Sequence, residues 1–278
     1  MRVGEVDTAP GGRVGSMRDG VLDQTFLLTG EDNSPSNYLL NVGRTGGGGW
    51  ATPRHRHTFD QVRYVLKGRY PVAKGVVMEE GSVGYFPESV HYGPQDRPEG
   101  LEMMVCQFGG ASGQGFLSIP QREAANAVLA KKGTFKDGVF TYIDEKGQRH
   151  NKDGSEACYE EATGKKTVYS KPRYDDIIVM DPAAYDWVHD AEGVHTKWLG
   201  TFTERETRLG FIRLDAGATF SAGMQASIEL LFLSKGAVTV QGKKYGERSA
   251  FEFAKNEGPV AVHAAEPSEF FCMVLPRF

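Results

Sequence analysis

The sequence has no long apolar run, few cysteines and almost no net charge, and each shortage removes a class of protein. No stretch approaches the ~18 consecutive apolar residues that a membrane-spanning helix needs. The start, Met1-Arg2-Val3-Gly4-Glu5-Val6, is polar and lacks the apolar centre of a secretion signal. A cytoplasmic protein without a membrane partner is therefore expected. Only three cysteines occur in 278 residues, Cys106, Cys158 and Cys272, and none forms a C-x-x-C pair. Dispersed thiols suit a reducing compartment and argue against a disulfide framework. A net charge of −4 supplies no basic footprint for nucleic acid and no polybasic anchor. The run Gly46–Gly49 is not followed by Gly-Lys-Ser/Thr, so it is no phosphate loop and reads as a flexible lead. A Gly-x-Ser-x-Gly elbow is also missing.

What the chain has in plenty is glycine, 35 residues, and short apolar runs between turn signals. Thr25–Thr29, Tyr38–Val42, Val62–Leu66, Tyr70–Val77, Val83–Phe86 and Leu101–Phe108 read as strands without a helical period. Such a pattern suits an antiparallel barrel over residues 24–110, preceded by a polar arm, 1–23. Residues 111–190 read as a connector. Within it, Gln121–Lys132 has helix-forming composition ending before Gly133, a C-cap candidate. Lys136–Lys171 is a solvated connector or hairpin insertion with charges of both signs, and Pro182–Trp187 a short helical turn. The last part, 191–278, repeats the first. Leu231–Gly236 echoes Tyr64–Gly68, Ser249–Ala254 echoes Ser82–Pro87, and Glu269-Phe270-Phe271 echoes Glu102-Met103-Met104, at an almost constant offset.

Two segments carry the candidate chemistry. In Pro53-Arg54-His55-Arg56-His57, the histidines are two apart, and on a strand they share a face. Gln61 and Arg63 keep that parity. Gly81 to His91 then ends in a further histidine that closes the cluster from a neighbouring strand. Three imidazoles and an oxygen donor suit a borderline divalent metal. Gln61 either binds through its oxygen or hydrogen-bonds a bound water. Arg63 inside a barrel needs a partner: Glu102 or Glu79 as an ion pair, or a substrate carboxylate. Tyr92, directly after His91, is the aromatic best placed for a pocket role. Asp60 and Glu88 are candidates to hold the second ring nitrogens of the histidines.

This spacing resembles that of the cupins. Gly49, His55, His57, Gln61 and Gly68 fit the first cupin motif, with Gln61 where glutamate is usual. Gly81, Pro87 and His91 fit the second, with Ser89 at its inner glycine and Gln95 at its terminal asparagine. Together with the repeat, the chain resembles a bicupin. That implies an all-β fold of two double-stranded β-helix (jelly-roll) barrels joined by a short helical and polar connector. The repeat carries His55, His57, Gln61 and His91 onto Gly223, Gln225, Glu229 and Gly258, so the second barrel is expected to be degenerate. The resemblance implies one divalent transition metal, iron(II) first, with manganese, nickel, zinc, cobalt and copper compatible, held by His55, His57, Gln61 and His91. It further implies a dioxygenase-like enzyme acting on a small chelating or anionic substrate, with Arg63 neutralising an anionic group. A redox-free isomerase, lyase or hydrolase, or a non-catalytic binding protein, is the alternative. Both a monomer and a homodimer fit.

Overall fold

The computed structural model describes residues 1–14 and 20–278. The chain divides into two compact units. One comprises Gly11–Gln24 and Thr29–Val179; the other comprises Met1–Pro10, Thr25–Leu28 and Met180–Phe278.

In the first unit the central strands lie in the order Val83–Phe86, Phe59–Lys67, Glu102–Gly109, Tyr38–Thr52, all antiparallel neighbours. Gln95–Arg97 pairs with the far end of Tyr38–Thr52. Strand alternation divides Phe59–Lys67 between two buried faces. Val65 joins Tyr70, Val72, Met78, Phe86, Tyr92, Leu101, Met103 and Val105 in an apolar cluster. Gln61 and Arg63 share its parity, so the interior grades from apolar to polar along one strand face. Gly46–Gly49, expected as a flexible lead, instead lies within the Tyr38–Thr52 strand. Gly49 has φ +73, and a Cβ there would sit 2.9 Å from the Arg97 carbonyl oxygen, so the close pairing with Gln95–Arg97 excludes a side chain.

The connector begins with the helix Ile119–Leu129, opened by a capping box between Ser118 and Gln121. It ends at Ala130, not at Gly133. Gly133 instead starts the strand Gly133–Lys136, where a Cβ would collide with the Thr141 carbonyl of the partner strand. The polar stretch that follows forms the antiparallel strands Val139–Ile143 and Arg149–Asp153, then the helix Gly154–Thr163. Asp153 caps that helix, and Gly164 stops it in the left-handed conformation.

In the second unit Ala250–Phe253, Glu229–Lys235, Ser268–Val274, Thr207–Leu214 and Val194–Phe202 are successive antiparallel neighbours. Leu231, Leu233, Phe251, Phe253, Phe270 and Cys272 fill the interior. Each buried phenylalanine removes enough apolar surface for about 2–3 kcal/mol. Residues 1–23 are not a plain arm. Arg2–Gly4 pairs with Ala250–Phe253, the Arg2 guanidinium pairs with Glu252, and Val3 packs on the apolar cluster. Residues 15–19 of that expected arm lie outside the described residues.

The two units share one register. Gln61 stands opposite Phe86 and Arg63 opposite Val105; Glu229 stands opposite Phe253 and Leu231 opposite Cys272. The position of Arg63 is thus filled by Leu231 in the repeat. Among the described residues, no helix is long and apolar enough to cross a membrane.

Candidate functional site

His55 forms an isolated bridge with Tyr92: each backbone N–H donates to the other's carbonyl, at 3.0 and 2.9 Å. This bridge sets which side chains converge. His55 and His57 lie edge to face at 4.8 Å between ring centroids, and the Tyr92 ring is 4.6 Å from His55 and 6.0 Å from His57. The His55 Nδ1 faces the Pro53 carbonyl at 2.7 Å. A carbonyl only accepts, so Nδ1 carries the proton and Nε2 the lone pair of the neutral ring. His57 stacks on Phe59 at 4.5 Å.

His91 does not join them. It is exposed, and desolvation of its ring, with the charges of Arg56 and Arg54, lowers its pKa below the ordinary histidine range. The expected third ligand therefore belongs to the face that carries Arg54 and Arg56. Tyr92 takes the inward position. The repeat agrees, because the Gly258 N–H donates to the Gly223 carbonyl at 2.7 Å, as the Tyr92 N–H donates to His55. A Cβ at Gly258 would collide with the Ala222 carbonyl, so the second barrel has no room for a ligand at that position. Its Glu229, at the place of Gln61, accepts from the Gly223 N–H at 2.6 Å, and burial raises its pKa.

Behind Tyr92 lies a buried network that the sequence signals only through Arg63. The Arg63 Nη1 donates to Tyr70 and, at 2.7 Å, to the Gln95 Oε1; its Nη2 donates to the Gln61 Oε1 at 3.0 Å and the Tyr92 Oη at 3.2 Å. The Tyr70 hydroxyl donates to the same Gln95 oxygen, and Arg97 reaches that oxygen at 3.5 Å. Arg63 is 3% exposed. Its guanidinium lies 4.4 Å from the Phe86 ring centroid, 5.4 Å from Tyr92 and 5.5 Å from Tyr70. Both expected carboxylate partners are engaged elsewhere. Glu102 is the cross-strand partner of Arg44, and Glu79 pairs with Arg69 on the surface. Among the described residues no carboxylate pairs with Arg63, and its buried Nε has no acceptor.

These residues do not fit the expected metal centre. His91 faces away, and the Gln61 Oε1 accepts from both Arg63 and Gln107, the latter at 3.3 Å. Among the described residues, no group of three His, Cys, Asp or Glu side chains is placed to hold an ion. Two imidazoles remain, beside a guanidinium whose charge opposes a second cation.

Asp60 and Glu88 lie apart from the histidine rings, on the opposite strand face. Asp60 accepts from the Tyr85 hydroxyl at 2.6 Å and the Glu88 N–H at 2.7 Å. Glu88 accepts from the Ser112 N–H and from Arg173, each at 2.8 Å, and from the Ser112 hydroxyl at 2.5 Å. Complete burial outweighs the two bonds that favour the carboxylate, and pushes the Asp60 pKa up to about 7. The unfolded chain titrates near 3.8. Stability from the protonated form is thus fully present below about pH 4 and lost as pH rises through about 7, a change of about 4 kcal/mol. Urea midpoints of the wild type should fall over this window by more than those of Asp60→Asn; equal slopes would show that Asp60 is ionised throughout.

No family model matches the chain, and no curated protein matches it. Solved structures do. A proposed dioxygenase from Nostoc punctiforme superposes with a TM-score of 0.63 at 12% identity, over 99% of this chain and 82% of that one. A variant of oxalate decarboxylase from Bacillus subtilis gives 0.54 at 13%, over 98% and 76%. The bacterial pirin from Escherichia coli in complex with nickel(II) gives 0.54 at 13%, over 100% and 99%. Identities this low carry the fold and nothing finer. With two barrels in one register and these neighbours across nearly its whole length, the chain shares the all-β, two-barrel fold of these structures.

Proposed function

We propose that the first barrel binds and transforms a small anionic molecule, which lies against His55, His57 and Tyr92 with its negative group toward Arg63. One observation carries this reading: Arg63 is buried among neutral groups, with one N–H left over. A buried charge without a counter-charge costs several kcal/mol, and a carboxylate ligand offsets that cost. The imidazoles then supply acid–base groups beside the bound anion. In this account the second barrel, filled with apolar side chains, is structural.

The alternative reading, which the donor set described above opposes, is a non-haem iron dioxygenase acting on a diketone, catechol or thiol. The cupin resemblance and the Nostoc neighbour support it. So does the His55 tautomer, which leaves Nε2 as the nitrogen that an ion would take. Oxygen uptake by the anaerobically purified chain, with and without added iron(II), against carboxylates, diketones, catechols and thiols separates the readings. Iron-dependent uptake supports the dioxygenase. Turnover that ignores iron and oxygen supports direct acid–base chemistry, and binding without turnover supports a non-catalytic carrier.

A further inference from the structure

We infer that the Arg63 guanidinium is the resident cation of the first barrel and that the site takes a carboxylate ligand without a metal ion. This rests on the anion-site reading above and adds the nature of the charge. Four side chains converge at the His55–Tyr92 bridge: His55, His57, Gln61 and Tyr92. At two of them the oxygen is already committed. The Gln61 Oε1 accepts from the Arg63 Nη2 and the Gln107 Nε2, at 3.0 and 3.3 Å. The Tyr92 Oη accepts from the Gln61 Nε2 and the Arg63 Nη2, at 2.8 and 3.2 Å. An amide oxygen and a phenol oxygen have two lone pairs each, so neither retains one for an ion. Arg63 thus donates to both of these oxygens.

The sister barrel supplies an independent comparison. It has the same register but carries Leu231 in place of Arg63, so the fold itself does not require a cation there. At this register position the barrel with the histidine pair carries the cation, and the other carries leucine. It is also held fast: three aromatic rings surround it and four acceptors fix its terminal nitrogens. Only the buried Nε–H has no acceptor, and that is the donor a ligand oxygen would take. A planar, permanently charged guanidinium holds an anion at every physiological pH and needs no loading step.

The test uses the full chain, nickel(II) as the metal probe and acetate, benzoate and succinate as anion probes. After chelation, Arg63→Leu, which copies the residue at 231, should bind nickel(II) about tenfold or more tightly than the wild type, because two oxygens are released. Gln61→Glu with Tyr92→His should gain at least as much, and serves if Arg63→Leu fails to fold. Wild-type affinity for the best anion probe should be unchanged in excess EDTA. Wild-type protein that purifies with about one tightly held ion per chain, or loses anion binding on chelation, overturns the inference but leaves the anion site standing. Failure to bind any of the three anions, with or without nickel(II), overturns both.

Discussion

Replacing Arg63 by glutamine should weaken binding of small carboxylates to the first barrel by about 100-fold, the usual loss when one partner of a buried charge pair is removed. Lysine should not rescue it. An ammonium is a compact point charge with three donors, whereas Arg63 serves Tyr70, Gln95, Gln61 and Tyr92 at once from a planar fork. Calorimetry with benzoate on the wild type, Arg63→Gln and Arg63→Lys checks this, with thermal melts to establish folding. Amide isosteres of the same ligands should bind all three proteins equally weakly. If Arg63→Gln keeps wild-type affinity, the guanidinium is only packing.

Glu88→Ala should destabilise the first unit by about 2–4 kcal/mol, with Glu88→Gln recovering part of it. Removing one member of a buried ion pair costs 3–5 kcal/mol, discounted because Arg173 is partly exposed and water reaches it. The effect should extend to the site. Glu88 fixes the turn that carries Ser89, whose φ is +68 and whose N–H donates to the His57 carbonyl at 2.7 Å. Three residues on is Tyr92. Urea denaturation gives the stability, and hydrogen exchange at residues 88–92 shows whether the turn loosens. Full protection of those amides in Glu88→Ala would place the anchor elsewhere.

The barrels were legible because duplication and strand alternation leave marks in the chain itself. The echo of Tyr64–Gly68 in Leu231–Gly236 and the shared parity of Gln61 and Arg63 reappear as register, whereas His55 and His57 lie before the strand and not on it as expected. Parity fails at turns. Between Pro87 and Tyr92 the chain passes through the left-handed Ser89, and a slip of one residue exchanges the exposed His91 for the inward Tyr92. Residue chemistry favoured the histidine; backbone geometry selected the tyrosine. The partner of Arg63 was illegible for a different reason. Glu102 and Glu79 both have the right charge, but cross-strand register gives one to Arg44 and a surface contact gives the other to Arg69. The network of Tyr70, Gln95 and Gln107 comes from three separate strands and has no sequence spacing of its own.

The most direct test of the account is a crystal structure of the natively purified chain grown with benzoate, with anomalous data to locate any metal. A carboxylate oxygen within hydrogen-bond distance of the Arg63 Nε, and no anomalous peak beside His55 and His57, is the result expected. A metal ion bridging the two imidazoles, with Arg63 displaced from Gln61 and Tyr92, would contradict it.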